Sequence, residues 1–158
     1  MIKASSLLNI AVYCRETGKK VGYIKDIVYE PSKGSIAAYV VSSGSVFKNL
    51  KILMANDVAD VGKDRIVIKS EKAMKDADKY HDMLVNQNSH LIGSSVRDFY
   101  GRELGIISDT VVDVDSNLVK GYIVSDGLIS DILKGRNFIE KNEAFVEESH
   151  EGGNGNGR

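Results

Sequence analysis

Short apolar runs separated by polar, glycine-bearing turns recur along most of this chain, and their lengths suit strands better than helices. Arg15-Glu16-Thr17-Gly18-Lys19 and Asp98-Phe99-Tyr100-Gly101-Arg102 predict hairpin turns, with glycine supplying the φ > 0 position. After the first turn, Val21 to Tyr29 predicts a strand, matched by Leu104 to Val112; the internal glycines Gly22 and Gly105 suggest a bulge or a close backbone approach. Second turns follow at Pro31-Ser32-Lys33-Gly34 and Asp115-Ser116-Asn117. They lead into the buried-type runs Ile36–Val41 and Val119–Val124. Arg65 to Lys69, after the turn Gly62-Lys63-Asp64, adds one more strand to the first set.

These two sets are copies. Sliding the sequence by 83 residues aligns about 40 positions without a gap, with 11 identities. Ser6, Leu8, Gly18, Gly22, Ile24, Asp26, Val28, Tyr39, Val41, Ser42 and Gly44 fall on Ser89, Leu91, Gly101, Gly105, Ile107, Asp109, Val111, Tyr122, Val124, Ser125 and Gly127. Glycines and core-type aliphatics dominate the matches, so a fold is repeated rather than a reaction. The second copy is cut short: aligning Phe138-Ile139 with Ile52-Leu53 leaves no counterpart of Ile66-Val67-Ile68. Its unpaired edge is expected to be covered by the connector or by a partner strand, a second copy of the protein included.

Between the copies, Ala73, Ala77, Tyr80 and Leu84 are spaced as one helical face, and Ser70 stands where a cap would. A connecting helix is therefore expected over 70–88. Beyond Val146 the chain is acidic and glycine-rich with nothing apolar to bury, which predicts a disordered tail over 147–158.

The stretches Gly18-Lys19-Lys20-Val21-Gly22-Tyr23-Ile24-Lys25-Asp26-Ile27-Val28 and Gly101-Arg102-Glu103-Leu104-Gly105-Ile106-Ile107-Ser108-Asp109 resemble the PRC-barrel family, as does the closing hairpin from Met54 to Ile68. The family's pattern has the same turn glycine, the same aliphatic-glycine pair and an aspartate ahead of a strand. The resemblance covers most of residues 5–69 and 89–139. It implies a mainly β fold: two small PRC-type β-barrels in tandem, over 1–69 and 89–146, joined by a short helix. It further implies binding of other proteins, as in the photosynthetic reaction centre H subunit, with no catalytic residue set. The ribosome maturation factor RimM, which carries the same barrel, suggests the alternative of an RNA-processing or ribosome-assembly accessory.

Composition narrows the chemistry. With 42% apolar and 27% charged residues the chain is of globular type, and 7% aromatic residues without tryptophan make its cores aliphatic. The single cysteine, Cys14, has no partner for an internal disulfide or a zinc site. It is expected to be buried filler in a reducing, cytoplasmic setting. No apolar run reaches the length needed to cross a bilayer, and Met1 to Cys14 is taken as part of the fold rather than a leader, since the segment recurs in the second copy. Asp113-Val114-Asp115-Ser116-Asn117 begins like a calcium loop, but Leu118 and Val124 stand where glycine and an acid are required, so a polar turn is expected. Phosphate-binding glycine loops are absent, and His81, His90 and His150 fall far apart. Asp26 and Asp109 would suit acid-base work only if they met in one cleft. Placed in separate copies, they are expected to bond backbone instead.

The expectation is thus of a non-enzyme with no cofactor and no metal. Charge is divided: residues 1–69 carry 11 basic and 6 acidic side chains, whereas residues 89–158 carry 7 and 12. Such asymmetry steers partners or head-to-tail contacts, so protein partners and a homo-oligomer are expected. RNA is the less favoured ligand, because the acidic copy repels phosphate and no stacking platform is evident. The candidate interaction residues are those of the loops after Gly44 and Gly127, namely Val46, Phe47, Leu50, Leu128, Ile129 and Ile132.

Overall fold

The computed structural model describes residues 1–43, 49–85, 91–125 and 137–147. Among them are thirteen strands: β1 (Ile2–Lys3), β2 (Ala11–Cys14), β3 (Lys20–Glu30), β4 (Ser35–Ser42), β5 (Leu50–Met54), β6 (Val58–Val61), β7 (Arg65–Ile68), β8 (Met74–Asp76), β9 (Ser95–Asp98), β10 (Glu103–Asp113), β11 (Leu118–Ser125), β12 (Phe138–Glu140) and β13 (Ala144–Val146). One short helix, α1 (His81–Val85), accompanies them.

The first half runs β5-β4-β3-β2-β7-β6, antiparallel except for the parallel pair β2 and β7, and β8 adds to the outer edge of β5. Alternate residues point inward, as period-2 side chains must. Val12, Ile24, Ile27, Tyr39, Val41, Ile66 and Ile68 therefore meet in the core with at most 4% exposure. The end strands β5 and β6 are joined by the 3-10 turn Ala55–Asp57 and not by a ladder. The second half runs β12-β11-β10-β9-β13.

The repeat is reproduced in register. Gly18 and Gly101 both take φ > 0, at 67° and 84°, in their hairpin turns. Tyr39 stands between Ile27 and Leu53, as Tyr122 stands between Thr110 and Ile139, and both rings are buried. Bulges fall at matching places, between Ile24 and Asp26 and between Ile107 and Asp109. The gapless alignment fails at the first hairpin and for the residues before it, where buried Leu91 corresponds to buried Leu7 and not to the exposed Leu8. There the turn after Asp98 is one residue shorter than the turn after Cys14, so β9 matches β2 with an offset of 84.

Two separate closed barrels are not seen among the described residues: the thirteen strands form one sheet that does not close, and the two β3–β4-type turns join its halves by pairing with each other. Ser35 faces Leu118, the Ile36 N–H donates to the Asn117 carbonyl at 2.8 Å, and the Val119 N–H donates to the Gly34 carbonyl at 2.9 Å. Under the 83-residue repeat Ile36 corresponds to Val119, Gly34 to Asn117 and Ser35 to Leu118, so each bond is the other's equivalent and the contact lies on a local two-fold axis. Gly34 and Asn117, both at φ 60°, make the left-handed turn that brings the strand starts together. The chain is also exchanged at its start: β1 leaves the first half and pairs with Val111 and Val112 of β10.

Two further expectations are corrected. The connector is not one continuous helix: a 3-10 turn (Glu71–Ala73), β8 and a second 3-10 turn (Ala77–Tyr80) precede α1, and residues 86–88 lie outside the described residues. Ser70 does cap, its Oγ accepting from the Lys72 N–H at 3.3 Å. The free backbone of β5 captures Met74–Asp76 as a strand, and this ladder outweighs the helical spacing. In the second half, the missing β7 counterpart does not leave β9 bare, and the connector does not cover it. Ala144–Val146, the counterpart of β6, moves into the slot beside β9, so among the described residues the end of the sheet passes to β13. The expected disordered tail lies outside the described residues from 148 onward.

Candidate interaction surfaces

Asp26 and Asp109 each follow a bulge, and each uses Oδ1 to accept the next residue's N–H, from Ile27 and from Thr110, at 2.8 Å. That backbone role is the one expected of them, but their separation is not. The two-fold junction brings both to one cleft of about 410 Å³, walled by Leu8, Ile27, Tyr29 and Ile92. Asp109 is occupied further by Ser5, whose N–H donates at 3.1 Å and whose hydroxyl bonds the second carboxylate oxygen. At the side of the cleft the Tyr29 hydroxyl meets Thr110 Oγ1 at 2.9 Å, linking the halves through a buried bond. Burial pushes the Tyr29 phenol up to about 12, with the two carboxylates adding to the rise and the Thr110 bond opposing it. Both carboxylates are thus anchored to backbone beside a phenol that stays neutral.

The other candidate chemistry resolves into structure. Cys14 is buried at the end of β2, its thiol 3.8 Å from the Lys69 carbonyl. Asp113 accepts the Asp115 N–H at 3.1 Å and the chain then turns through Asn117, a polar turn of the expected kind. Among the described residues no group of three His, Cys, Asp or Glu side chains converges on a metal-sized site, and no helix is long and apolar enough to cross a membrane. Of the interaction residues expected from sequence, Leu50 lies at the start of β5 opposite Ser42 and is 36% exposed. Val46, Phe47, Leu128, Ile129 and Ile132 lie outside the described residues.

A surface that pattern reading missed lies at the β13 edge. Phe99 and Tyr100, in the tightened β9–β10 turn, are 69% and 89% exposed. Phe145 packs on Phe99 with ring centroids 6.2 Å apart. Asp98 holds the turn rigid: its carboxylate accepts the Tyr100 and Arg102 N–H groups at 2.9 Å each and Arg102 Nε at 2.7 Å. Burial raises the Asp98 pKa, but these donors outweigh it and leave it below the usual carboxylate value. Arg97 bridges to Glu147 at 3.1 Å, tying β13 to β9. The Glu147 N–H donates to Ser95 O at 2.9 Å, so by the alternation of an antiparallel ladder the main-chain groups of Ala144 and Val146 face away from β9. Two consecutive aromatics in a hairpin turn, where the first copy has Glu16-Thr17, were the available signal.

A duplicated β unit that meets its twin across a local two-fold defines a class of tandem-repeat β protein. The PRC-barrel domain matches residues 1–75 and again 85–143, and the chain belongs to that family. It is also similar to the uncharacterized protein YrrD of Bacillus subtilis (strain 168), with 24% identity over 141 residues, covering 86% of this chain and 76% of that protein.

Proposed function

We propose that this chain is a non-enzymatic protein-interaction module that takes a partner strand along β13, with Phe99, Tyr100 and Phe145 gripping the partner's side chains. The aromatic cluster beside an unpaired edge carries this reading: outward main-chain groups supply strand addition, and exposed rings supply buried area once covered. The partner is a second protein or a second copy of this chain. In this reading each copy of the repeat is one unit of a tandem scaffold working in the cytoplasm, where the lone buried thiol of Cys14 stays reduced. The RNA alternative gains little from the aromatic cluster, because the rings sit in the copy with excess acidic charge.

Val146→Pro removes an outward N–H while the Phe145 and Glu147 bonds to β9 remain, so folding is retained and docking is lost. Crosslinked complexes isolated from the native cell are expected with the wild-type chain and absent with Val146→Pro and with Phe99→Ser, although both variants still unfold in one cooperative transition. Identical complexes from all three proteins would refute the reading. Self-association seen by sedimentation and lost in Val146→Pro identifies the partner as a second copy.

A further inference from the structure

The two halves differ most on their outer faces. In the first half, Val28, Ala38, Val40 and Ile52 form a second apolar cluster on the side of the sheet away from the main core, with exposures of 1, 0, 6 and 0%. The connector covers it. β8 pairs with the edge of β5, Lys51 facing Asp76 and Leu53 facing Met74, and the chain then crosses the face with Ala77, Tyr80, Met83 and Leu84 packed down.

The repeat places Val111, Gly121, Ile123 and Phe138 at the matching positions of β10, β11 and β12. Val111 and Ile123 are half-buried and Phe138 is 38% exposed, against full burial of its counterpart Ile52. Gly121 takes the place of Ala38, and the Phe138 ring lies over the space its Cβ would fill, which covers the face only in part. Among the described residues β12 pairs with β11 alone, and no counterpart of β8 lies along its other edge. Where β11 starts and β12 ends is a groove of about 440 Å³ lined by Leu118, Lys120, Glu140 and Lys141. Lys120 and Lys141 replace Ala37 and Ala55 of the first half; the Lys141 ammonium turns to the Gly34 carbonyl at 3.4 Å, so Lys120 is the cation that borders this face inside a copy whose charge is otherwise acidic.

We infer that the outer face of the second half is a docking groove for an acidic, amphipathic strand-then-helix segment of a partner protein. The segment pairs with Phe138–Glu140 as a short strand, then turns across Val111, Ile123 and Phe138 with apolar side chains at helical spacing. The first half shows both the shape and the chemistry of such an occupant, and Lys120 at the rim selects negative charge on it. The inference rests on the chain being an interaction module, but it uses a different face from the β13 edge.

A labelled synthetic peptide of residues 70–85, which carries the strand, the apolar stripe and net negative charge, tests it by fluorescence anisotropy on the full chain. Saturable binding is expected. It should weaken at least tenfold in Ile123→Lys and several-fold in Lys120→Glu, and stay unchanged in Val146→Pro. The last comparison separates this groove from the β13 edge, since loss of docking there leaves peptide binding intact. Absence of binding, or binding indifferent to Ile123→Lys, overturns the inference. So does binding that appears only when residues 126–136 are replaced by a glycine-serine linker, which would show that the chain covers the face itself. A dimer of the free chain that Ile123→Lys dissociates would make a second copy the occupant, and would overturn it equally.

Discussion

The hydrogen bond between Tyr29 and Thr110 joins the two halves in the interior, and its removal has a calculable consequence. Thr110 is fully buried and Tyr29 is 5% exposed, so neither hydroxyl can turn to solvent when its partner is lost. Thr110→Val keeps the side-chain shape and deletes the hydroxyl. The Tyr29 O–H then stays buried without a partner, which costs about 1–3 kcal/mol. For a chain of this length about 2 kcal/mol corresponds to a melting temperature roughly 4–8 °C lower. Tyr29→Phe alone orphans the smaller Thr110 hydroxyl and costs less, about 1 kcal/mol. In the double variant no orphan remains, so its loss is expected to be smaller than that of Thr110→Val by itself. Urea melts followed by tyrosine fluorescence and by far-ultraviolet circular dichroism measure all three on one scale, and coincident curves show that the halves unfold together. Additive losses, or a Thr110→Val protein as stable as the wild type, would refute the reasoning by showing that the hydroxyl pair contributes nothing across the junction.

Two further outcomes follow from the buried phenols. The Tyr39 hydroxyl is buried without a hydrogen-bond partner, so Tyr39→Phe is expected to raise stability by about 0.5–2 kcal/mol in the same urea melts, and a loss would show that the hydroxyl is solvated after all. Burial holds Tyr29 and Tyr39 at about 12 in the folded chain against about 10 when unfolded, so their stabilising effect is complete below pH 10 and is lost as pH rises through 12. The loss is roughly 2–3 kcal/mol per tyrosine, and the Tyr39→Phe variant should show a shallower alkaline limb in melts run from pH 8 to 12. A flat profile would refute the assignment.

The sequence by itself determined the repeat, the strands, the turn glycines and the family, because these follow from local periodicity and backbone conformation. Gly18 and Gly101 declare a left-handed turn wherever they occur, and Ile36–Val41 declares a buried strand whatever it packs against. Cys14 was legible for the same reason, being an apolar position in a short strand. Tertiary structure decided everything that depends on which unpaired edge reaches which strand first. Met74–Asp76 carries helical spacing yet becomes β8, because β5 presented free backbone groups that no local propensity encodes. Ala144–Val146 crossed to β9 because the strand that should have stood there is missing. Asp26 and Asp109 look remote at 83 residues apart, and they share a cleft only because Ser35 and Leu118 pair across a local two-fold. Likewise the partial exposure of Ile123 and Phe138 shows no sign in their own residue types. Hydrophobic pattern states that a side chain prefers burial, whereas the geometry of the assembled sheet decides whether anything is there to bury it.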